Sequence, residues 1–279
     1  MYMKLKYLGT AAAEGVPAIF CECENCKYAR KNGGKDIRTR SQAIIDDKLL
    51  IDFPADTYMH FLKFDIPLYA VKSCIITHSH QDHLYVDDIK MRANGNFAHV
   101  KDAENPLKFF SGSAGYEKIK AATGHISEKD VLPVRIEPFV PFETEGYRIT
   151  PLRASHDPKT TPLLYIIEKN GKSLFYSHDS GKYCPETMSF LEKLSKPLSM
   201  VSLDCTSVCL DNITSSHLTF GECVEYKKEF IQKGIADENT VFVINHFSHN
   251  GKNVIHEKLE KLASKEGFLV SYDGMEVEI

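Results

Sequence analysis

A short apolar run leads directly into a cluster of polar side chains in the stretch Ser73-Cys74-Ile75-Ile76-Thr77-His78-Ser79-His80-Gln81-Asp82-His83. The apolar part predicts a buried strand that delivers a polar loop at its C-terminal end. The loop holds three imidazoles and one carboxylate within six residues. These groups are costly to bury without partners, and together they match the ligands of Zn, Mn or Fe. A solvated polar loop is the alternative, but such loops seldom gather four ligand-type residues after a strand.

The spacing of these side chains suits two neighbouring metal ions. In an extended stretch, His78 and His80 point to the same side because side chains alternate along a strand. A turn beginning near Gln81 brings Asp82 and His83 toward a second position, about 3.5 to 4 Å from the first metal. The sequence therefore predicts a loop that supplies ligands to two metals.

Short strands and helices are spread over the whole sequence. Apolar periodicity predicts strands at residues 3–8, 42–45, 49–52, 73–77, 131–136, 147–152, 163–168 and 173–177, and helices at residues 57–64, 115–122, 185–193, 219–232 and 254–264. Asp46-Asp47 and Asn170-Gly171 predict turns between antiparallel strands, and Thr219 is a plausible helix cap. Without an internal repeat or a long linker, we expect residues 1–279 to form one domain, with two layers of strands covered by helices.

Composition excludes several classes of protein. The 279 residues are 43% hydrophobic and 26% charged, which is close to the average for a soluble protein and unlike disordered, fibrous or disulfide-scaffold chains. No apolar run approaches the roughly 20 residues of a membrane span, so we expect a cytoplasmic protein with no membrane partner. The net charge of −4 argues against broad electrostatic capture of nucleic acid.

Later in the chain, further ligand-type residues follow predicted strands, in Leu152-Arg153-Ala154-Ser155-His156, Phe175-Tyr176-Ser177-His178-Asp179 and Val241-Phe242-Val243-Ile244-Asn245-His246. Together with the H-x-H-x-D-H motif, this order resembles the metallo-β-lactamase superfamily over nearly the whole chain. The resemblance implies an α/β fold, the αβ/βα metallo-β-lactamase sandwich of two mixed β-sheets flanked by helices. It also implies a two-metal site at one edge of the sheets.

The ligand sets of this centre follow from the same resemblance. One metal would be held by His78, His80 and His156, the other by Asp82, His83 and His246, with Asp179 as the bridge. We expect two catalytic divalent metals, Zn or Mn, with Fe as the alternative. Two dications would lower the pKa of a shared water to near neutral, so that hydroxide is the nucleophile and no Ser or Cys nucleophile is required. Asp82 would thus act in catalysis through the second metal.

Protonation of the leaving group requires a further residue. His217, in Ser215-Ser216-His217-Leu218-Thr219, resembles the accessory His of phosphodiesterase branches of the superfamily. An imidazolium with a pKa of about 6.5 suits an alkoxide leaving group. The alternative is a helix-capping or surface His. His178 is expected to point to the opposite face of its strand from Asp179.

A second metal site is indicated by Cys21-Glu22-Cys23-Glu24-Asn25-Cys26. Three thiolates on a tight loop suit tetrahedral Zn, and His249 is the expected fourth ligand because it follows His246 by three residues. Reduced surface thiols or a redox pair are the alternatives. The opening residues 8–17 with these Cys, and the sequence Asn245-His246-Phe247-Ser248-His249, resemble the PhnP-like phosphodiesterase branch. In that branch the three Cys and the later His bind a zinc apart from the catalytic pair.

This branch implies the expected function. Its members act on a ribose 1,2-cyclic phosphate, so we expect a small, cyclic phosphodiester as substrate, no nucleic acid partner, and a homodimer by analogy with related proteins. Three alternatives stay open: tRNA 3′-end endonuclease activity, hydrolysis of a lactone, thioester or β-lactam, and a metal-carrying binding protein without catalysis. The chain shows no protruding basic or Gly-rich arm for tRNA.

Overall fold

Two seven-stranded sheets are formed within residues 2–101, 105–210 and 216–279, the part of the chain that this computed structural model describes. The first sheet has the strand order β14-β1-β2-β3-β4-β5-β6. Its members are β1 (Lys4–Gly9), β2 (Gln42–Ile45), β3 (Leu49–Ile51), β4 (Ser73–Ile75), β5 (Leu107–Ser111), β6 (Val131–Arg135) and β14 (Glu276–Glu278). The second has the order β13-β12-β11-β10-β9-β8-β7. Its members are β7 (Phe142–Thr144), β8 (Tyr147–Arg153), β9 (Leu163–Lys169), β10 (Lys172–Ser177), β11 (Met200–Asp204), β12 (Val241–Asn245) and β13 (Leu269–Val270).

Both sheets are mixed. In the first, β14, β1, β2 and β3 pair antiparallel and β3 to β6 pair parallel. In the second, β7 to β10 pair antiparallel and β10 to β13 pair parallel. The antiparallel pairing expected around Asp46-Asp47 is confirmed. Asn170 and Gly171 have φ of 52° and 78°, as a two-residue turn between β9 and β10 requires.

Helices flank the sheets: α1 (Glu24–Asn32), α2 (Thr57–Phe64), α3 (Val86–Ile89), α4 (Ser113–Thr123), α5 (Pro185–Leu191), α6 (Phe220–Gln232) and α7 (His256–Ala263). Short 3₁₀ turns lie at Gly34–Asp36, Lys90–Arg92, Pro158–Thr160 and Ser264–Glu266. Thr219 caps α6 in a capping box with Glu222, so the predicted cap is confirmed. Within the described ranges, no helix is both long and apolar enough to cross a membrane.

The core is divided by the sheets. Apolar side chains of both sheets meet between them, among them Leu5, Ile45 and Leu174. Two further clusters lie on the outer faces under the helices, one around Phe109 and Ile119 and the other including helical residues of α6 and α7. The sandwich expected from the sequence is confirmed. One domain over residues 1–279 stays a prediction.

Some element boundaries differ from those expected. The strand predicted over residues 73–77 ends at Ile75, because the backbone N–H of Thr77 donates to Oδ1 of Asp52 at 2.7 Å instead of pairing in the sheet. Helix α1 was not predicted from the sequence, because its residues are mostly polar and only Cys26 and Ala29 are buried.

Candidate metal centre

Two groups of donor atoms meet where the strands end, and they share Asp179. His78, His80, His156 and Asp179 offer one set of four ligand atoms, all within 4.8 Å of one another. Asp82, His83, His246 and Asp179 offer a second set that meets the same criterion. The structure therefore brings together all seven residues that the sequence nominated for the two-metal centre, although they come from the loops after β4, β8, β10 and β12.

The first group has the dimensions of a metal site. Nε2 of His78 lies 2.9 Å from Nδ1 of His80 and 3.1 Å from Oδ2 of Asp179. Nε2 of His156 lies 3.2 Å from Nδ1 of His80. Ligand atoms around a tetrahedral zinc, each about 2.0 to 2.1 Å from the ion, are separated by about 3.3 Å. The spacing of these donors fits such an ion.

The second group has similar dimensions. Nε2 of His83 lies 3.3 Å from Oδ2 of Asp82, 3.2 Å from Oδ2 of Asp179 and 3.3 Å from Nε2 of His246. Nε2 of His246 lies 3.9 Å from Oδ2 of Asp179. Because Oδ2 of Asp179 faces both His78 and His83, this carboxylate stands between the two groups, as a bridging ligand would.

Two buried polar atoms in this centre have no hydrogen bond among the described residues: Nδ1 of His156 and Oδ1 of Asp179. Orphaned buried polar atoms are costly, and a bound cation would satisfy them. Burial lowers the pKa of His78 to about 4 and also lowers that of His156, so both rings are neutral at pH 7, the form that binds metals. The donor set therefore fits a pair of divalent ions.

Negative charge concentrates around the same donors. Burial would raise the pKa of the Asp179 carboxyl, but the neighbouring rings of His246 and His78 outweigh it and hold that pKa well below the usual range. Burial opposes charge on His83, yet Asp82 and Asp52 raise its pKa well above the ordinary value. This field stabilises a cation at the second group.

Asp52 was not predicted as a site residue. It follows β3, it is fully buried, and its Oδ2 lies 2.7 Å from Nδ1 of His83. This contact fixes the ring so that Nε2 faces the metal centre. Asp52, Asp179 and His246 have φ of 66°, 55° and 66°, a left-handed conformation uncommon outside glycine. Such conformations cluster at functional sites, where the surroundings compensate the strain.

Asp204, at the end of β11, is a second carboxylate with no predicted role. Its Oδ2 lies 3.4 Å from Nδ1 of His246 and 3.2 Å from Nδ1 of His217. Nδ1 of His217 is also 3.3 Å from Oδ1 of Asp179. Burial opposes charge on His217, but Asp204 and Asp179 outweigh it and raise its pKa to about 9. The stretch Leu203-Asp204-Cys205 is one of those that resemble the PhnP-like branch, but nothing local in it indicates that Asp204 faces His217 and His246.

His178 lies outside the metal centre. Its Nε2 lies 2.7 Å from Oγ of Ser202, and its Nδ1 lies 3.1 Å from Nδ2 of Asn245, in a fully buried position. Residues 178 and 179 therefore point to different surroundings, as the alternation along the chain predicts.

An open cleft of about 390 Å³ lies over the metal centre. The metal-centre side chains that line it are His80, Asp82, His156, Asp179 and His246, and the lining also includes His217, Glu14, Ser248 and Asn250. No Lys or Arg side chain is among the described residues that line this cleft. A small molecule is therefore the size of ligand that it can enclose.

The Cys loop and His249 form a separate donor group. Sγ of Cys21 and Sγ of Cys23 lie 3.4 Å and 3.5 Å from Nδ1 of His249, and Cys26 completes the group within 4.8 Å. A tetrahedral zinc with S and N ligands separates them by about 3.6 Å. Hydrogen bonds, first from His249, outweigh desolvation and lower the pKa of the Cys23 thiol to about 6, which favours the thiolate. The predicted Cys₃His donors are thus adjacent, and zinc occupancy stays a prediction.

Comparisons with known proteins address the fold. The chain is similar to a diphosphatase of the PhnP family (TM-score 0.75, 21% identity, 100% of this chain and 98% of that one). It is also similar to zinc-bound PqqB of Methylobacterium extorquens (TM-score 0.72, 15% identity, 99% and 100%). Human tRNase Z, short form, superposes as well (TM-score 0.65, 14% identity, 98% of each chain). At these identities the likeness shows the fold alone.

The sequence itself identifies the family. No curated protein matches the chain significantly. A family model described as "Beta-lactamase superfamily domain" matches residues 60–234, which include the H-x-H-x-D-H loop, His156, Asp179 and His217. Because this match covers more than half of the sequence, the chain belongs to the beta-lactamase superfamily, a family of metal-dependent hydrolases.

Proposed function

We propose that the protein is a metal-dependent phosphodiesterase that hydrolyses a small, cyclic phosphodiester of the phosphoribosyl type. One observation carries the proposal: His217 lies at the edge of the metal centre with Nδ1 hydrogen-bonded to Asp204 and 3.3 Å from Oδ1 of Asp179. Among the described residues none forms a hydrogen bond with Nε2 of His217, so this atom can face a substrate. An ester with a poor leaving group needs such an acid, because an alkoxide is expelled slowly without a proton.

The residues of the site divide the chemistry between them. Two divalent ions held by the two donor groups would supply a water of lowered pKa and positive charge beside the phosphate. Protonated His217 donates its Nε2 proton to the leaving oxygen as the P–O bond breaks. Asp204 accepts the Nδ1–H of His217 at 3.2 Å, which fixes the ring and stabilises its charged form. Asp204 also holds His246, so that one carboxylate orients an acid and a metal ligand.

The cleft supports a small substrate over a nucleic acid. Proteins bind a tRNA largely through Lys and Arg side chains that contact many of its phosphates. The described lining of the cleft offers His, Asp and Glu but neither Lys nor Arg. The substrate phosphate would therefore depend on the metals and on His217. A small-molecule partner, no nucleic acid and a homodimer are parts of this proposal.

The test is a substrate panel on protein loaded with Mn or Zn. The panel contains bis-p-nitrophenyl phosphate, ribose 1,2-cyclic phosphate, a nucleoside 2′,3′-cyclic phosphate, a diphosphate ester, a precursor tRNA, a thioester, a lactone and a chromogenic cephalosporin. We expect the highest kcat/KM on a cyclic diester, loss of turnover with a chelator and recovery on adding metal.

Other outcomes assign other functions. Preference for the precursor tRNA would identify an endonuclease, and activity on carbonyl substrates with none on diesters would overturn the phosphodiesterase. Full metal content without turnover of any compound would favour a metal-carrying binding protein.

A further inference from the structure

Glu14 faces the same cleft, and its charge adds only a minor part to the field of Asp204 and Asp179 that raises the pKa of His217. Its carboxylate is partly open to solvent, at 30% exposure, and it lines the cleft with His217 and Asp179. It belongs to none of the groups of metal-ligand donors found in the described chain. A carboxylate in a cleft that receives a phosphate repels that phosphate, so its presence there needs a reason.

The position of Glu14 is strongly constrained. It lies in a turn in which the backbone N–H of Gly15 donates to the carbonyl of Ala12 at 3.0 Å. The backbone N–H of Ala12 donates to the carbonyl of Phe247 at 3.0 Å, which joins this turn to the loop after β12. Glu14 is therefore anchored at the backbone beside the metal-ligand loop rather than carried on a free surface segment.

Three consecutive residues of that loop then hold the side chain through one oxygen. Oγ of Ser248 donates a short hydrogen bond to Oε1, and Nδ2 of Asn250 donates to the same atom at 3.5 Å. Nε2 of His249, whose Nδ1 faces the Cys sulfurs, lies 3.6 Å from it. These contacts orient the carboxylate from one side.

The second oxygen of the Glu14 carboxylate, Oε2, has different surroundings from Oε1. Among residues 2–101, 105–210 and 216–279, no side chain or backbone group donates a hydrogen bond to Oε2 of Glu14. The protein holds the carboxylate in place through one oxygen. The other oxygen can therefore accept a hydrogen bond from a donor on a bound ligand. Within reach of a bound phosphodiester, the donor that such a substrate most commonly carries is a sugar hydroxyl.

We infer that Glu14 is a specificity-determining residue that accepts a hydrogen bond from a sugar hydroxyl of the substrate. The inference rests on the proposed phosphodiesterase and narrows its substrates to diesters of a sugar or nucleoside. Glu14 also disfavours simple alkyl diesters, because they meet its negative charge without offering a donor in return. A charge-assisted hydrogen bond of this kind changes affinity by about 10-fold or more.

The experiment compares diesters that share the p-nitrophenolate leaving group. Thymidine 5′-(p-nitrophenyl phosphate) and thymidine 3′-(p-nitrophenyl phosphate) present a sugar hydroxyl on either side of the phosphate, whereas ethyl p-nitrophenyl phosphate has none. For Glu14→Gln, which keeps the shape of the side chain, we expect the thymidine-to-ethyl ratio of kcat/KM to fall about 10-fold for at least one thymidine diester. The loss should be in KM rather than kcat, since Glu14 does not touch the reacting atoms.

A binding measurement separates this role from a general defect. Calorimetric titration of the metal-loaded protein with thymidine 5′-monophosphate and with ethyl phosphate should show the same change in relative affinity. Glu128→Gln removes a carboxylate from an exposed position outside the cleft and should change neither ratio. Melting curves verify that each variant is folded.

The results for the three diesters test the role of Glu14 separately from the phosphodiesterase activity. If the wild-type protein hydrolyses no diester, cyclic or linear, the proposed function itself fails. If it hydrolyses only cyclic diesters, the calorimetric affinity ratio for thymidine 5′-monophosphate and ethyl phosphate decides whether Glu14 recognises the sugar. If it hydrolyses the three diesters and Glu14→Gln changes kcat/KM by one common factor for all three, Glu14 is a structural partner of Ser248 and the inference is overturned.

Discussion

Nδ1 of His217 lies 3.2 Å from Oδ2 of Asp204, and the same carboxylate oxygen lies 3.4 Å from Nδ1 of His246. His217→Ala removes the acid but none of the nominated metal ligands. We expect full metal content and a loss in kcat of about 100-fold or more on diesters with alkoxide leaving groups. The loss on bis-p-nitrophenyl phosphate should be much smaller, because nitrophenolate leaves without a proton. Equal losses on both kinds of substrate would contradict the acid role.

Asp179 shares its carboxylate between both donor groups, so Asp179→Ala should release metal from both. Metal analysis after dialysis is expected to show loss of most of the catalytic pair, and activity should fall with it. Asp87→Asn, on an exposed carboxylate of α3, is the matched control and should retain both metals. Two metals bound with near-normal turnover in Asp179→Ala would refute the bridging role.

Cys23 supplies one sulfur of the Cys₃His group. Cys23→Ser should lower the zinc content by one equivalent and lower the melting temperature, because a structural zinc contributes its binding free energy to folding. The catalytic pair and kcat should persist. Cys184→Ser, which changes a thiol at the start of α5, serves as the control and should leave zinc unchanged. Unchanged zinc in Cys23→Ser would remove the case for this site.

Lys118 of α4 connects the ends of the metal-ligand loop. Its Nζ donates to the carbonyls of Ser79 and Leu84 at 2.9 Å and 3.2 Å. In Lys118→Met the loop loses these two hydrogen bonds. We expect metal affinity to fall about 10-fold to 100-fold, as it does when other residues that orient metal ligands are changed. Competition with a chelator measures the affinity. Lys120→Met, on the same helix, should bind metal as the wild type does. An equal fall in metal affinity in both variants would show an effect of charge rather than of the hydrogen bonds to the loop.

The buried His60 should make stability depend on pH. Nδ1 lies 2.6 Å from Oε1 of Gln42 and Nε2 lies 2.6 Å from Oγ1 of Thr39. Burial lowers the pKa of His60 to about 4, although Asp56 opposes this shift while Lys63 adds to it. Oγ1 of Thr39 also lies 2.6 Å from Oδ2 of Asp273, and burial raises the pKa of that carboxyl.

The unfolded chain, with a His pKa of about 6.5, then binds more protons than the folded one between pH 4 and 6.5. The contribution of His60 to the free energy of unfolding is therefore fully present above this window and falls by about 3 kcal/mol as the pH is lowered through it. Urea unfolding at several pH values should show a flatter profile for His60→Gln than for wild type. His125→Gln, at an exposed position, is the control. Parallel profiles for wild type and His60→Gln would contradict the expectation.

Patterns among neighbouring residues were sufficient to predict much of the fold and the metal ligands of the H-x-H-x-D-H loop. Helix α2 has the predicted bounds, since apolar spacing and flanking residues specify a helix within a few turns of chain. The H-x-H-x-D-H loop was recognised because all its ligand-type residues lie within one segment. His156, Asp179, His217 and His246 required the resemblance to a family, because a single His or Asp at a strand end has no distinctive local pattern.

The sequence by itself determined many of the strands and helices and the types of ligand available, because these depend on neighbours along the chain. Only the tertiary structure decided which carboxylates support them. Asp52 reaches His83, Asp204 reaches His217 and His246, and Glu14 reaches Ser248. Such partners are distant along the chain and become adjacent only when the fold brings strand ends and their loops to one edge, so no local periodicity or composition distinguishes these acids from ordinary surface ones.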